Sequence, residues 1–92
     1  MYIIELTYKK AMSEVEKHLE AHRAFLDVYY AKGVLLASGP KNPRDGGILL
    51  ATEMDRAELE RILSNDPFWI EQIAEYKITD FAVTKRSAKF NY

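Results

Sequence analysis

Tyr2-Ile3-Ile4-Glu5-Leu6-Thr7-Tyr8, followed shortly by Ser13-Glu14-Val15-Glu16-Lys17-His18-Leu19-Glu20-Ala21-His22, contains the change of period on which the fold turns. In the first stretch Tyr2, Ile4, Leu6 and Tyr8 share one parity while Glu5 and Thr7 hold the other, the alternation of a half-buried strand. From Ser13 the period lengthens: Val15, Leu19, His22, Leu26 and Tyr29 recur at spacings of four and three, and Gly33 stands where a left-handed C-terminal cap belongs. This predicts an amphipathic helix of about five turns. Ser13 with Glu16 three residues on has the spacing of a capping box.

Downstream, Val34 to Ser38 is a short apolar run closed by Gly39-Pro40, and Lys41 to Gly47 is dense in Pro, Asn, Asp and Gly. A strand and then a loop are expected. Ile48 to Thr52 is a second apolar run without clean alternation, as in a strand buried on both faces. Asp55 with Glu58 offers a cap, and Met54 can staple onto Leu59, so a helix of two to three turns should run to about Leu63. Asn65-Asp66-Pro67 stops that helix and starts another, because Asp caps well and Pro is tolerated at the first helical position. A short helix through Phe68, Trp69 and Ile73 follows, then strand character over 76–84, with 84–92 a basic, aromatic tail.

The order β-α-β-β-α-(α)-β is that of an α+β, ferredoxin-like βαββαβ sandwich, with a four-stranded antiparallel sheet covered by helices on one face. The other face is left bare. Because the runs 34–37 and 48–51 put apolar side chains on both sides, a second copy packed sheet to sheet is the expected cover, giving a homodimer.

The 92 residues suffice for one small domain, 1–92, with one core. At 48% hydrophobic, 29% charged and 12% aromatic, the composition is that of a folding globule rather than a disordered chain. Thirteen basic residues against 14 acidic ones leave a net charge of −1, which removes the electrostatic handle of polyanion binders. The runs 34–37 and 48–51 are also aliphatic where RNA-binding sheets carry stacking aromatics, so no nucleic-acid partner is expected. The absence of cysteine excludes disulfides, thiolate nucleophiles, iron–sulfur clusters and cysteine zinc sites. Glu5 interrupts the N-terminal apolar residues too early for a signal peptide, and no run approaches a membrane span, so a cytoplasmic, non-membrane protein is expected.

His22 is the most informative single residue, because it occupies an apolar stripe with Leu19 and Leu26 and so should face the sheet. An imidazole with an unperturbed pKa of about 6.5 suits acid–base catalysis in a partly dry pocket. The plainer reading is a core histidine hydrogen-bonded to a carbonyl or a tyrosine. His18 lies one turn before His22, with Glu14 a further turn back, but a pair of this kind needs at least one more ligand and an open position to make a catalytic centre, and no metal is assigned. Asp66 reads as the carboxylate partner of an imidazole or as the N-cap of the last helix. The two roles combine if one oxygen caps while the other reaches the pocket. Ser38-Gly39-Pro40 could bring donors to a ligand or be only a turn, and Arg44 could clasp a carboxylate or be only solvated. Asp45-Gly46-Gly47 reads as a hairpin turn, not a phosphate loop.

Taken in order, His22 within His22-Arg23-Ala24-Phe25-Leu26, Gly33, Val34 through Pro40, Gly46-Gly47-Ile48 and Asn65-Asp66-Pro67-Phe68 resemble the YCII-related (YciI-like) family across nearly the whole chain. The resemblance implies a ferredoxin-like fold assembled as a dimeric α+β barrel, similar to muconolactone isomerase. It also implies an active-site pair mapping to His22 and Asp66, with Ser38 and Gly39 on the pocket wall. One branch of the family resembles a dehydrochlorinase of chlorinated hydroxyhydroquinones.

The expectation is therefore cofactor-free acid–base chemistry of isomerase, lyase or dehydrochlorinase type on a small hydroxylated aromatic or lactone-like metabolite. His22 would act as base or acid and Asp66 would orient it, while Ser38 and Gly39 hold a developing oxyanion. Pro40, Arg44 and Phe68 are expected among the substrate-binding residues. The alternatives are a non-catalytic dimeric module that binds a metabolite, and a cofactor-free oxygenase on the same barrel.

Overall fold

β1 (Tyr2–Tyr8) and α1 (Met12–Ala31) lie where the two periods of the N-terminal third place them. They are followed by β2 (Leu35–Pro40), β3 (Gly46–Ala51), α2 (Arg56–Leu63), α3 (Pro67–Ile70) and β4 (Ala74–Asp80) in this computed structural model, which describes residues 1–90. The strands form one antiparallel sheet in the order β2-β3-β1-β4, so the fold is the expected α+β, ferredoxin-like βαββαβ arrangement. The tail expected over 84–92 is described only to residue 90; there it is irregular, with one turn in which the Phe90 N–H donates to the Ser87 carbonyl.

Register explains the core. Ile4 lies opposite Leu49 on one side and Ile78 on the other, and Leu6 lies between Gly47 and Tyr76, so the parity read from β1 extends across the sheet. Onto this row the helices pack Val15, Leu26, Leu59, Leu63 and Phe68, all buried. Each such side chain contributes about 1.5–3 kcal/mol relative to exposure.

The end of α1 is a full Schellman motif. Gly33 takes φ 75°, its N–H donates to the Tyr30 carbonyl, and the N–H of Val34 donates to that of Tyr29. The start of α1 differs from expectation. Ala11 is the N-cap with no side-chain hydrogen bond, and Ser13 lies inside the first turn, so the Ser13–Glu16 capping box does not form. Asp55, in contrast, caps α2 by accepting from the N–H of Glu58.

The middle of the chain requires further corrections. Ser38-Gly39-Pro40 is strand rather than turn: β2 is an edge strand, where a missing proline N–H costs no ladder bond, and Pro40 pairs with Gly47. Gly46 and Gly47 likewise begin β3 instead of forming the hairpin turn. A Cβ at Gly46 would stand 1.7 Å from the Leu6 carbonyl oxygen, so the strand passes too close for any side chain. α3 ends at Ile70 and β4 spans 74–80, both earlier than expected. Gln72 causes the early stop: it adopts φ 56° and closes α3 with a second Schellman pair, Ile73 N–H to the Phe68 carbonyl and Gln72 N–H to that of Trp69.

The helix-free face is mixed. Ile3, Ile48 and Leu50 are apolar and half-buried, whereas Glu5, Thr7, Glu75 and Lys77 occupy its other half. The run 34–37 contributes less than expected, because β2 is at the edge and the register shifts between Leu35 and Ala37, at Leu36. Among the described residues no helix is long and apolar enough to cross a membrane.

Candidate active site

Asp66 is fixed by the local sequence. The chain leaves α2 at Ser64, and Pro67 supplies a first helical residue without an N–H, so the carboxylate before it caps α3 by accepting from the Phe68 N–H at 3.0 Å. Its side chain is fully buried. From this position it meets the Nδ1 of His22 at 2.8 Å from Oδ1 and 3.0 Å from Oδ2, while the Tyr76 hydroxyl donates to Oδ2 at 2.5 Å. An ionised carboxylate only accepts, and the groups around this one can all donate. Capping and contact with His22 thus coexist, and Oδ1 takes part in both.

His22 is held from two directions. Asp66 meets the edge of its ring, and Phe68 stacks on its face with centroids 4.0 Å apart and planes 3° from parallel. Phe68 is in turn met edge-on by Tyr8 at 6.1 Å. With Nδ1 engaged by a carboxylate, Nδ1 carries hydrogen in either charge state, and Nε2 is the nitrogen free to take up or release a proton. Nε2 makes no hydrogen bond among the described residues, and no buried side-chain nitrogen or oxygen there lacks a partner, so Nε2 is open to solvent although His22 is only 7% exposed.

Tyr76 was not foreseen as part of this cluster. Burial above all, then the charge of Asp66 and the hydrogen bond to it, push its phenol well above the ordinary value of 10.0, so it stays a donor at neutral pH. Trp69 packs against it with ring centroids 4.9 Å apart. The available signal was parity: Tyr76 lies in the row of Leu6, and a buried tyrosine needs a hydrogen-bond partner.

His22 lies on the wall of a cleft of about 180 Å³ bounded by α1, β1, β2, β3 and Phe68 of α3. Leu19, His22, Arg23 and Leu26 form the helical wall, Leu6, Tyr8 and Leu49 the sheet side, and Ser38, Gly39 and Pro40 the rim on β2. Gly47 lies in the inward row beside Leu6 and Pro40, so its missing side chain leaves room there. A cavity of about 150 Å³ admits benzene, and the cleft is therefore sized for one substituted ring. The Ser38 hydroxyl is 2.5 Å from that of Tyr30, and either can donate. Arg44 lies in the exposed 42–45 loop and does not line the cleft, whereas Arg23, not singled out in the sequence, lines it. Phe68 reaches the cleft but is buried, with its ring stacked on that of His22. Among the described residues no group of three or more His, Asp or Glu could hold a metal ion.

The sequence matches the family model of the YCII-related domain over residues 1–82. The chain belongs to the YCII-related family. A solved relative of this YCII-related domain in fold is the 5-chloro-2-hydroxyhydroquinone dehydrochlorinase of Burkholderia phenoliruptrix, in complex with 2,5-dihydroxybenzoquinone. The two superpose with a TM-score of 0.75 over 88% of this chain and 92% of the other, at 17% identity. At that identity the likeness establishes a common fold. No curated protein matches the sequence.

Proposed function

We propose that this YCII-related domain is an enzyme that moves protons on a small hydroxylated aromatic or lactone-like compound, with Nε2 of His22 as base and then acid. The observation that carries this reading is the buried Asp66 carboxylate on Nδ1 of a histidine that lines a ring-sized cleft and whose other nitrogen is open to solvent. Nε2 takes a proton from a substrate O–H or C–H and becomes the imidazolium, which Asp66 stabilises by charge and by the Nδ1–H bond. The electron pair left on the substrate either accepts the proton back at another atom, an isomerisation, or expels a leaving group such as chloride, an elimination. Ser38, Gly39 and Pro40 bound the substrate at the rim, and Ser38 can donate to a developing oxyanion. The proton transfer uses side chains alone and calls on no cofactor. The dehydrochlorinase that shares the fold, in complex with a dihydroxybenzoquinone, supports a hydroxylated ring as substrate.

The apolar half of the helix-free face supports a homodimer packed sheet to sheet, in which Ile3, Ile48 and Leu50 leave water. A non-catalytic binding module is the competing reading, favoured by the low exposure of His22 and its stacking on Phe68.

The test is a panel of chlorinated and unchlorinated hydroxyhydroquinones and unsaturated lactones incubated in deuterated water. Proton NMR follows deuterium uptake at carbon and product formation, and an ion-selective electrode follows chloride. Wild-type protein should catalyse exchange or turnover on at least one compound, and His22→Gln should lose it by about 10²-fold or more. Equal activity in the two proteins refutes the role of His22, and binding without exchange or turnover in either favours the binding module.

A further inference from the structure

We propose that Arg23 is the anion-recognition residue of the cleft, and that its ligand is a single-ring compound presenting a carboxylate, phenolate or enolate oxygen. This deepens the proposed function and rests on its assignment of the cleft as the ligand site.

Arg23 follows His22 on α1 and lines the same cleft. Glu20 lies three residues before it and Asp27 four after it, the spacings at which helical ion pairs form. Lys17 with Glu14, Arg61 with Glu58 and Arg56 with Glu60 use these spacings in this chain. Arg23 pairs with neither available carboxylate and makes no ion pair or hydrogen bond among the described residues. Its guanidinium keeps its full donor capacity beside the cleft.

The surroundings strengthen this charge. Among the described residues lining the cleft there is no aspartate or glutamate, and Leu6, Leu19, Leu26, Leu49 and Phe68 make most of the wall apolar. Asp66 is bonded behind the His22 ring and does not line the cavity. A cation next to an apolar wall with no competing carboxylate attracts an anionic oxygen more strongly than it would in open water. The planar fork of arginine also matches two oxygens at once, as a carboxylate or an adjacent pair of ring oxygens presents them. If the substrate arrives as a neutral phenol, the proton goes to Nε2 of His22 and the phenolate left behind has a counter-charge in Arg23, so the same residue favours the ionised state.

Binding of 4-hydroxybenzoate and of its neutral isostere 4-hydroxybenzamide, measured by calorimetry at pH 7 and low salt, tests the inference. Wild-type protein should take the carboxylate about tenfold more tightly than the amide, a preference that weakens with added salt. Arg23→Gln, at an exposed helix position that Gln suits, should bring the ratio close to one with an unchanged melting temperature; Arg23→Lys should restore part of it. The inference is overturned if wild type binds both compounds equally, if it binds neither, or if Arg23→Gln keeps the preference. His22→Gln separates the two ideas. Retained anion preference with unaltered exchange activity in His22→Gln defeats the acid–base reading alone, whereas lost activity in His22→Gln with no preference in wild type defeats the anion site alone.

Discussion

Nδ1 of His22 lies between the two oxygens of Asp66, 2.8 Å from Oδ1 and 3.0 Å from Oδ2, across 44 residues of sequence. The same carboxylate caps α3 and accepts from Tyr76, so one buried side chain ties α1, α3 and β4 together. Whatever chemistry His22 performs is therefore coupled to the stability of the fold.

Asp66→Asn should reveal that coupling. The amide replaces one acceptor oxygen with a donor, and it would then face a donor from His22, Phe68 or Tyr76. A loss of about 2–4 kcal/mol in urea denaturation is expected, together with a fall in turnover. Unchanged stability would show that the carboxylate does not organise this cluster.

Tyr76→Phe removes one donor and keeps the ring packed on Trp69. A cost of about 1–2 kcal/mol at neutral pH is expected. The pH dependence has a defined sign. Below the ordinary phenol value of 10.0, Tyr76 is protonated in both the folded and the unfolded chain, and its contribution is complete. Above it the unfolded chain releases the proton while the folded chain retains it, so this tyrosine alone lowers stability by about 1 kcal/mol per pH unit. Denaturation series between pH 8 and 11 should therefore fall less steeply in Tyr76→Phe than in wild type.

Phe68→Leu tests the stacking. The change keeps an apolar side chain of similar reach and should cost about 1 kcal/mol. The parallel ring 4.0 Å away shields the His22 ring protons in the wild type, so their proton resonances should move downfield in the variant. Phe68→Ala should cost about 3–5 kcal/mol by leaving a cavity beside Tyr8 and His22.

Two glycines on the cleft give a paired control. Gly46→Ala places a Cβ 1.7 Å from the Leu6 carbonyl oxygen and should cost about 3 kcal/mol or more, because β1 and β3 must separate. Gly39→Ala meets nothing within 4 Å and should change stability by no more than about 0.5 kcal/mol. Thermal melts of the two variants check both expectations.

How far the sequence could be read follows from the range of each signal. β1 and α1 carried unbroken periods, and that was enough to set His22 on the inward stripe and to order the elements. Asp66 before Pro67 announced a cap, because capping is decided within three residues. Ser38-Gly39-Pro40 and Gly46-Gly47 have turn composition, and only the whole sheet makes them strand: β2 is at the edge, where Pro40 costs no ladder bond, and β3 passes too close to Leu6 at Gly46 for any side chain. Tyr76 escaped for a related reason: its partner is fixed by α3 packing above β4, which no local pattern encodes. Arg44 has the loop setting that suggests ligand contacts, whereas the cleft is lined by Arg23 on α1, and only the packing of α1 on the sheet shows this.

In the proposed mechanism Asp66 holds hydrogen on Nδ1 of His22 and leaves Nε2 to exchange protons with a ligand. Nitrogen-15 NMR of the histidine rings across pH reads this directly. Neutral His22 should be the Nδ1–H tautomer, and an aromatic ligand in the cleft should shift the Nε2 resonance. Neutral His22 carrying its hydrogen on Nε2, with Nδ1 bare towards Asp66, would contradict this mechanism.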